Sequence, residues 1–337
     1  MVRTLTLNTT TIEHALLPKH ETPEIPDRLA IMLYQEENEY KIFDYLAANE
    51  ALIKIAKKPV DEECRVKMCE WCYQVVDFCK FRRETVGIGM SYLDRYLCSE
   101  KGKKALSDRK EYQLVAMTCL YVAIKIHEPL EMETSLLADL SRGCYTEMEF
   151  ANTEKKILEA VEWRVNGPTA LSFVQHFLKF LPESVHSAVQ LAVFDYARYQ
   201  TELALADHAF LKLKPSVVGM AATLNAMEGM DVLLLPLKIQ ARFIRSVEKY
   251  TGIDLDEVNN TQTRLSTLLI GLLSEDQTKK IDQAPDEDSD IEEIPRRKSS
   301  SRVDRSPVSV ARRASRSPKP SRSQLARSPV KDGSLIQ

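Results

Sequence analysis

Residues 112–126 read YQLVAMTCLYVAIKI, and this stretch decides the fold class. Apolar residues occupy nearly every position, so a helix formed by this stretch would have no polar face. A helix that is apolar all round must be surrounded by other elements. We therefore expect 112–126 to be the central helix of a small bundle, with Lys125 as the charged residue near its end.

Amphipathic patterns extend outward from this stretch in both directions. In 61–80 and again in 84–98, apolar residues recur at steps of four, three and four, which is typical of a helix with one buried stripe. Shorter helices are predicted at about 132–141 and 148–162, and Gly167 followed by Pro168 ends this group. A second group of five helices is predicted at 169–180, 183–206, 216–227, 236–250 and 254–273.

The sequence therefore predicts an all-α protein with two tandem five-helix lobes, a preceding helix and disordered tails. Ten glycines among 337 residues are few for a barrel, a sandwich or a Rossmann fold, which use glycine at turns and phosphate loops. The predicted divisions are a flexible arm at 1–27, an amino-terminal lobe at 28–167, a carboxyl-terminal lobe at 168–275, and a disordered tail at 276–337 that is first acidic and then rich in Arg, Ser and Pro.

Nothing in the sequence indicates an enzyme. The six histidines are scattered, and no Walker or Rossmann glycine pattern occurs. Cys69 and Cys72 match a C-x-x-C pattern, but they lie inside a predicted helix with no further ligands at metal spacing. We expect no catalytic residue, no metal and no cofactor. No apolar run approaches the roughly 18–20 residues of a membrane helix, so no membrane partner is expected.

The end of the chain carries a charge opposite to that of the rest. Residues 296–337 have a formal charge of +10, whereas the remainder carries −13. Each phosphate added to the tail would contribute about −1.5 to −2 charges. The candidate phosphorylation sites are Ser306, Ser317 and Ser328 before prolines, Ser315 and Ser299 after basic residues, and Ser289 before acidic ones. A solvated tail without a specific role is the alternative.

The basic cluster at 295–298 predicts import into the nucleus, with the cytoplasm as a second location. An arm that binds RNA or DNA phosphates is a further alternative for these Arg/Ser runs. Residues 296–337 contain no aromatic side chain that could stack on bases, so a nucleic-acid partner is not expected.

Four motifs in one order resemble the cyclin box. They are RVKMCEW at 65–71, SYLDRYL at 91–97, LYVAIKIHE at 120–128, and Glu154 fourteen residues before Pro168. Residues 169–178 resemble the opening of a cyclin's carboxyl-terminal lobe, with some D-type features. The chain departs from the family pattern at Ile126, His127 and Lys67, where many cyclins have an aromatic, an acidic and an apolar residue.

The resemblance implies a kinase-binding site around Lys125 and Glu154. In cyclins, these two side chains face the kinase and bond to its backbone near the regulatory helix. The other members of the implied site are Ile126, Glu128, Leu158, Trp163 and Val165. A desolvated charge pair inside an apolar rim is typical of a binding hot spot. The alternative is an internal salt bridge that only holds the lobe together.

The resemblance implies two further roles for helices one and two of the box. Cyclins pair the arginine of the first helix with the aspartate of the second, so Arg65 and Asp94 are expected to form a buried ion pair. In cyclins, the first helix also lines a groove for substrates or inhibitors with an Arg-x-Leu motif. The corresponding residues are Cys64, Met68, Trp71 and Gln74. Plain core packing is the alternative for this face.

The function implied by the resemblance is that of a cyclin: a regulatory subunit that binds and activates a cyclin-dependent protein kinase, helps to select its substrates in cell-cycle control, and performs no chemistry itself. Two alternatives stay open. One is a cyclin-fold transcription factor, although such factors usually carry an amino-terminal zinc ribbon and a basic fold. The other is a cyclin-fold scaffold without kinase activation.

Overall fold

The computed structural model describes residues 24–57 and 59–281, with side chains described up to residue 272. These residues form fourteen α-helices and no strand, which confirms the all-α class. The helices are α1 (Glu24–Asn38), α2 (Tyr45–Ala48), α3 (Glu50–Ile55), α4 (Glu62–Cys79), α5 (Glu84–Cys98), α6 (Lys103–Ser107), α7 (Arg109–His127), α8 (Thr134–Leu140), α9 (Glu147–Ala160), α10 (Ala170–Phe177), α11 (Ser187–Ala206), α12 (Pro215–Glu228), α13 (Leu237–Thr251) and α14 (Leu255–Ile281). Short 3₁₀ helices cover Glu100–Gly102, Leu178–Phe180 and His208–Phe210.

Helix α7 is the central helix of the first lobe. Every residue from Leu114 to Ile124 is buried, because α4, α5, α6 and α9 pack around it. Asp108 caps its amino terminus by accepting a hydrogen bond from the backbone N–H of Lys110. The helix stays buried until its last turn, where Lys125 and Ile126 reach the surface.

Helix α12 has the same position in the second lobe. Eleven of its residues are buried, from Ser216 to Met227, and it packs against α10, α11 and α14. Its Pro215 lies at the first helical position, where a missing N–H costs nothing. The two lobes have separate hydrophobic cores, one around α7 and one around α12.

Helix α1, the preceding helix, differs from its prediction in the residue at which it begins and in the lobe that it joins. It begins at Glu24, inside the arm expected at 1–27, because Pro26 lies in the first turn, where proline is tolerated. Although α1 precedes the first lobe in sequence, its Leu29 is fully buried in the core of the second lobe.

Helix α14 runs to Ile281, six residues into the tail expected from 276.

Several predictions fall on residues outside the described part of the chain. These are most of the arm at 1–27, the tail from 282 onward, and all six candidate phosphorylation serines. Every helix of the described part is too short or too polar to span a bilayer, and the described residues contain no cluster of three or more side chains that could hold a metal ion.

Polar contacts join the lobes along one side of α5. The Arg83 guanidinium forms an ion pair with Glu202 of α11 at 2.8 Å, and Thr169 donates a hydrogen bond to Glu84 at 3.0 Å. A cavity of about 460 Å³ lies between the lobes and is lined in part by these residues and by Phe43. The same contacts fix the orientation of the first lobe, on whose outer surface the candidate site lies.

Candidate functional site

Lys125 and Glu154 form an ion pair at the surface of the first lobe. The Lys125 Nζ lies 2.6 Å from the Glu154 Oε1, and the two side chains are 43% and 19% exposed. The hydrogen bond to Glu154 raises the pKa of Lys125, so the ammonium group stays charged. This pair is accessible from outside, which disagrees with the alternative of an internal salt bridge.

Two helices, α7 and α9, place this pair. Lys125 lies in the last turn of α7, where the helix dipole favours a cation. Glu154 lies in α9, whose first turn is fixed by a capping box between Thr146 and Glu149. The Lys125 Nζ also lies 5.5 Å from the centre of the Tyr121 ring, one turn earlier on α7. Both charges therefore have a defined position before any partner binds.

An apolar surface accompanies the pair. Ile126 is 43% exposed and Trp163 is 68% exposed, whereas Leu158 is buried and Val165 is half-buried. A tryptophan that is two-thirds exposed leaves much apolar area in water, which is typical of a binding surface. The predicted site thus contains an exposed apolar part, Ile126 and Trp163, and a supporting part, Leu158 and Val165.

A buried arginine, Arg95, bonds to the backbone of the turn that contains Trp163. Glu162 and Trp163 both have positive φ angles, +55° and +58°, a conformation that costs energy for non-glycine residues. The Arg95 guanidinium donates to the carbonyls of Val161 and Arg164, at 2.7 and 2.6 Å. Sequence reasoning did not find Arg95, because its two partners lie 66 and 69 residues away.

Glu128 does not lie on the exposed surface, where the resemblance placed it. Its side chain is only 3% exposed and faces inward. It accepts hydrogen bonds from the Arg82 backbone N–H, at 3.1 Å, and from the Thr85 hydroxyl. The carboxylate of Glu128 therefore bonds both to the residue before the amino-terminal cap of α5 and to a side chain in the first turn of that helix. Glu128 therefore supports the turn after α7 and does not contribute to the exposed surface.

Arg65 of α4 and Asp94 of α5 form a buried ion pair. Each side chain is 4% exposed, and Arg65 Nη2 donates to Asp94 Oδ2 at 3.0 Å. Tyr45 donates its hydroxyl to Asp94 and accepts from Arg65, both at 3.2 Å. Burial is the largest influence and opposes the charged form of Arg65, but the charge and hydrogen bond of Asp94, together with Tyr45, outweigh burial and raise the pKa of Arg65.

The face of α4 that was predicted for docking is mostly closed. Met68 is 7% exposed, and Cys64 and Trp71 are half-buried against the first core. Gln74 is exposed at the rim. Lys67, beside this face, forms an exposed ion pair with Glu63 at 2.7 Å, so Glu63 offsets its charge.

Several exposed apolar side chains were not found from the sequence, among them Leu130, Ile31 and Tyr34. Leu130, in the turn after α7, is 67% exposed, and Ile31 and Tyr34 of α1 are 59% and 61% exposed. The helical period of α1 could have indicated Ile31 and Tyr34, because they are three residues apart on one face. Leu130 lies in a turn and has no comparable signal.

Two family models match the chain one after the other. The cyclin amino-terminal domain matches residues 30–166, and the cyclin carboxyl-terminal domain matches residues 168–292. The chain belongs to the cyclin family. Members of this family are regulatory subunits rather than enzymes.

Relatives of this cyclin include both D-type and A-type proteins. It is 24% identical to G1/S-specific cyclin-D1 of Mus musculus over 251 residues, which are 73% of this chain and 82% of the relative. It is 25% identical to cyclin-A1-4 of Oryza sativa subsp. japonica over 205 residues, which are 59% of this chain and 54% of the relative. The cyclin thus spans about half of the length of the rice relative.

The fold of this cyclin is similar to that of a viral cyclin from herpesvirus saimiri. The two structures have a TM-score of 0.56 and 21% sequence identity, over 72% of this chain and 96% of the viral one. The likeness covers nearly all of the viral chain and supports the two-lobed all-α architecture.

Proposed function

We propose that this cyclin binds a cyclin-dependent protein kinase through the Lys125–Glu154 surface and activates it. One observation carries the proposal: a preformed, accessible Lys–Glu pair lies beside the exposed side chains of Ile126 and Trp163. Charged groups beside large apolar side chains combine orientation with hydrophobic burial, as binding hot spots do.

The pair can grip a polypeptide backbone. The Lys125 ammonium has three N–H donors and uses one of them for Glu154, so it can also donate to a backbone carbonyl. Glu154 can accept from a backbone N–H through its second oxygen. Ile126 and Trp163 would exclude water around these bonds and so strengthen them.

Activation follows from binding one kinase conformation better than the other. A lobe that packs against the regulatory helix of the kinase favours the state in which the ATP-gripping Lys–Glu pair is complete and the activation segment is released. The cyclin supplies no reacting group. Its contribution is the difference between its affinities for the active and the inactive kinase.

The test is co-purification of the full-length cyclin with a kinase catalytic subunit, followed by phosphorylation of histone. Association together with stimulated phosphorylation supports the proposal. Association without stimulation would favour the scaffold, and no association with any cyclin-dependent kinase would contradict both. Binding to promoter DNA in place of a kinase would favour the transcription factor.

Substrate selection, location and modification extend the proposal. The rim of the α4 face, around Gln74 and Trp71, is the place where an Arg-x-Leu peptide would bind. A fluorescent Arg-x-Leu peptide should bind the wild-type cyclin and lose affinity when Trp71 is replaced by Ala.

Imaging of the tagged cyclin tests the nucleus and cytoplasm as its locations. Mass spectrometry tests the six candidate phosphorylation serines.

A further inference from the structure

Helix α13 presents a row of unpaired basic side chains on the second lobe. Lys238, Arg242, Arg245 and Lys249 follow each other at steps of four, three and four, and all are exposed. This spacing puts them on one face, which we name the basic stripe. The opposite side of α13 enters the core through Phe243 and Val247. One acidic residue, Glu248, accompanies these four cations on the helix.

No carboxylate neutralises the basic stripe. None of its four side chains forms an ion pair with a described side chain of residues 24–57 or 59–272. Helix α1 and the 3₁₀ helix at Leu178–Phe180 pack against α13 and bring Arg28 and Lys179 to this side of the lobe, while the first turn of α1 also carries Glu24 and Asp27. There, burial and the nearby Arg28 lower the pKa of Lys179. Helix α13 itself carries a formal charge of +3, from the four cations of the basic stripe and Glu248.

A set of exposed apolar side chains adjoins the start of α13. Val232, Leu233, Leu234 and Leu237 are 55%, 89%, 59% and 66% exposed, and we name them the leucine loop. Asp231 orders this loop: its carbonyl accepts from the N–H groups of Leu234 and Leu235 at 2.9 Å, and its carboxylate accepts from that of Leu233 at 2.8 Å. Leu235 is fully buried and anchors the loop. An ordered apolar cluster beside unpaired cations is typical of a binding surface.

The chain itself contains a segment with the complementary chemistry. Residues 286–294 read DEDSDIEEI, with six carboxylates, no basic residue, and Ile291 and Ile294 at the end. Carboxylates match the basic stripe, and isoleucines match the leucine loop. Outside this part of the tail, no nine-residue stretch of the sequence holds six acidic residues and no basic one.

The segment is long enough to reach the stripe. Three residues separate α13 from α14, and the 27 residues of α14 make it about 40 Å long. Residues 282–294, fully extended, span up to about 45 Å. Even by this longest path, along the whole of α14, the last residues of the segment reach the end of α13, and a shorter path would bring more of its carboxylates to the stripe. Its covalent attachment supplies a high effective concentration, which compensates for the weakness of single exposed ion pairs.

We propose that the basic stripe and the leucine loop are the docking surface for the chain's own acidic segment, residues 286–294. Docking neutralises the stripe and covers the exposed leucines. Phosphorylation of Ser289 would add about two negative charges to the segment and strengthen the contact. High salt would weaken the contact, because the charges lie at the surface.

The test is zero-length carbodiimide cross-linking of the full-length chain, which joins a carboxylate to a lysine amine only when the two touch. Trypsin releases the acidic segment within one peptide, 281–296. We expect this peptide to be linked to Lys238 and Lys249. The double variant Arg242→Glu/Arg245→Glu keeps both reactive lysines and should lower the yield of these links about ten-fold. The variant Leu233→Ser/Leu234→Ser should also lower it, since both side chains are exposed.

A matched control uses two exposed lysines of α9 outside the stripe. The double variant Lys155→Glu/Lys156→Glu should leave the links unchanged. Links of 281–296 only to lysines of the adjacent basic tail, such as Lys298, would overturn the proposal. In an equal mixture of ¹⁴N- and ¹⁵N-labelled chains, links between differently labelled copies would overturn it in favour of a second copy as the occupant.

Discussion

Arg65 contacts both lobes of this cyclin, since it pairs with Asp94 inside the first lobe and donates from Nε to the Leu205 carbonyl of the second at 3.1 Å. The arginine therefore connects the α4–α5 packing to the end of α11. A guanidinium group suits this role because its donors point in several directions from one plane. The pair lies far inside the protein, in contrast to Lys125 and Glu154 at the surface.

Replacing Asp94 by Asn should destabilise the cyclin strongly. The change leaves the Arg65 charge buried without its counter-ion, and such losses cost about 3–5 kcal/mol. The measurement is the free energy of unfolding in urea. The control is Lys67→Ala, which breaks an exposed pair with Glu63 and should change stability by less than about 1 kcal/mol. Equal effects of the two substitutions would contradict the role given to the buried pair.

The double variant Lys125→Ala/Glu154→Ala should lose kinase binding and stay folded. Both charges are removed together, so no unpaired charge remains in the lobe. A hot-spot pair is worth about 2 kcal/mol or more, which corresponds to about a thirty-fold loss of affinity. The matched control removes another exposed Lys–Glu pair of the same lobe, Lys101 and Glu159, at 2.7 Å. Wild-type affinity in the first variant, measured by calorimetry with the kinase subunit, would contradict the proposed site.

Glu36 and Glu37, two neighbouring residues of α1, should make the stability of the cyclin depend on pH in opposite directions. Burial raises the pKa of Glu36, whose carboxylate accepts from the backbone N–H and the hydroxyl of Ser216 at 3.0 and 2.5 Å. The hydrogen bond from Lys214 lowers the pKa of Glu37. Glu36 binds its proton more tightly in the native state than in the unfolded chain, so its contribution to stability falls as the pH rises through the carboxyl range. Glu37 binds its proton less tightly in the native state, so its contribution to stability rises.

Urea unfolding of Glu36→Gln and Glu37→Gln from about pH 4 to pH 7 measures this difference. The stability of the wild type relative to Glu36→Gln should fall with rising pH. Its stability relative to Glu37→Gln should rise. Parallel curves for the two variants would show that the opposite environments of Glu36 and Glu37 do not control their titration.

Much of the architecture follows from the sequence because its signals are local. The run at 112–126 has no polar face, and this alone predicts a central helix. The positions of Lys125 and Glu154 follow from the cyclin-box motifs. By contrast, α2, α3 and α6 are only four to six residues long, too short for a helical period to be visible.

What the sequence could not predict depends on contacts between distant segments. Glu128 turns inward because Arg82 and Thr85, more than 40 residues earlier, offer donors to its carboxylate. Helix α1 has an apolar stripe, but the stripe does not say which lobe it enters; Leu29 enters the second. The exposure of Trp163 depends on its positive φ, which no periodic pattern indicates.

Two glycines in helix interiors should respond oppositely to Ala. Gly219 lies where α12 crosses α10, and a Cβ there would lie 2.7 Å from the Ala170 carbonyl oxygen and 3.1 Å from the Phe173 Cβ. Gly87 of α5 has no atom within 4 Å of its Cβ position. Glycine weakens a helix by about 0.5–1 kcal/mol relative to alanine, so Gly87→Ala should stabilise the cyclin by up to that amount.

At Gly219 the helix preference is outweighed by the clash. A backbone oxygen cannot move aside as a flexible side chain would, so α12 and α10 must separate, and overpacking of this kind costs about 1–3 kcal/mol. Gly219→Ala should therefore lower the melting temperature while Gly87→Ala raises it. Because both substitutions add the same methyl group inside a helix, the difference between the two melting temperatures measures how closely α12 and α10 approach. A rise in both would mean that these helices are not in contact at Gly219.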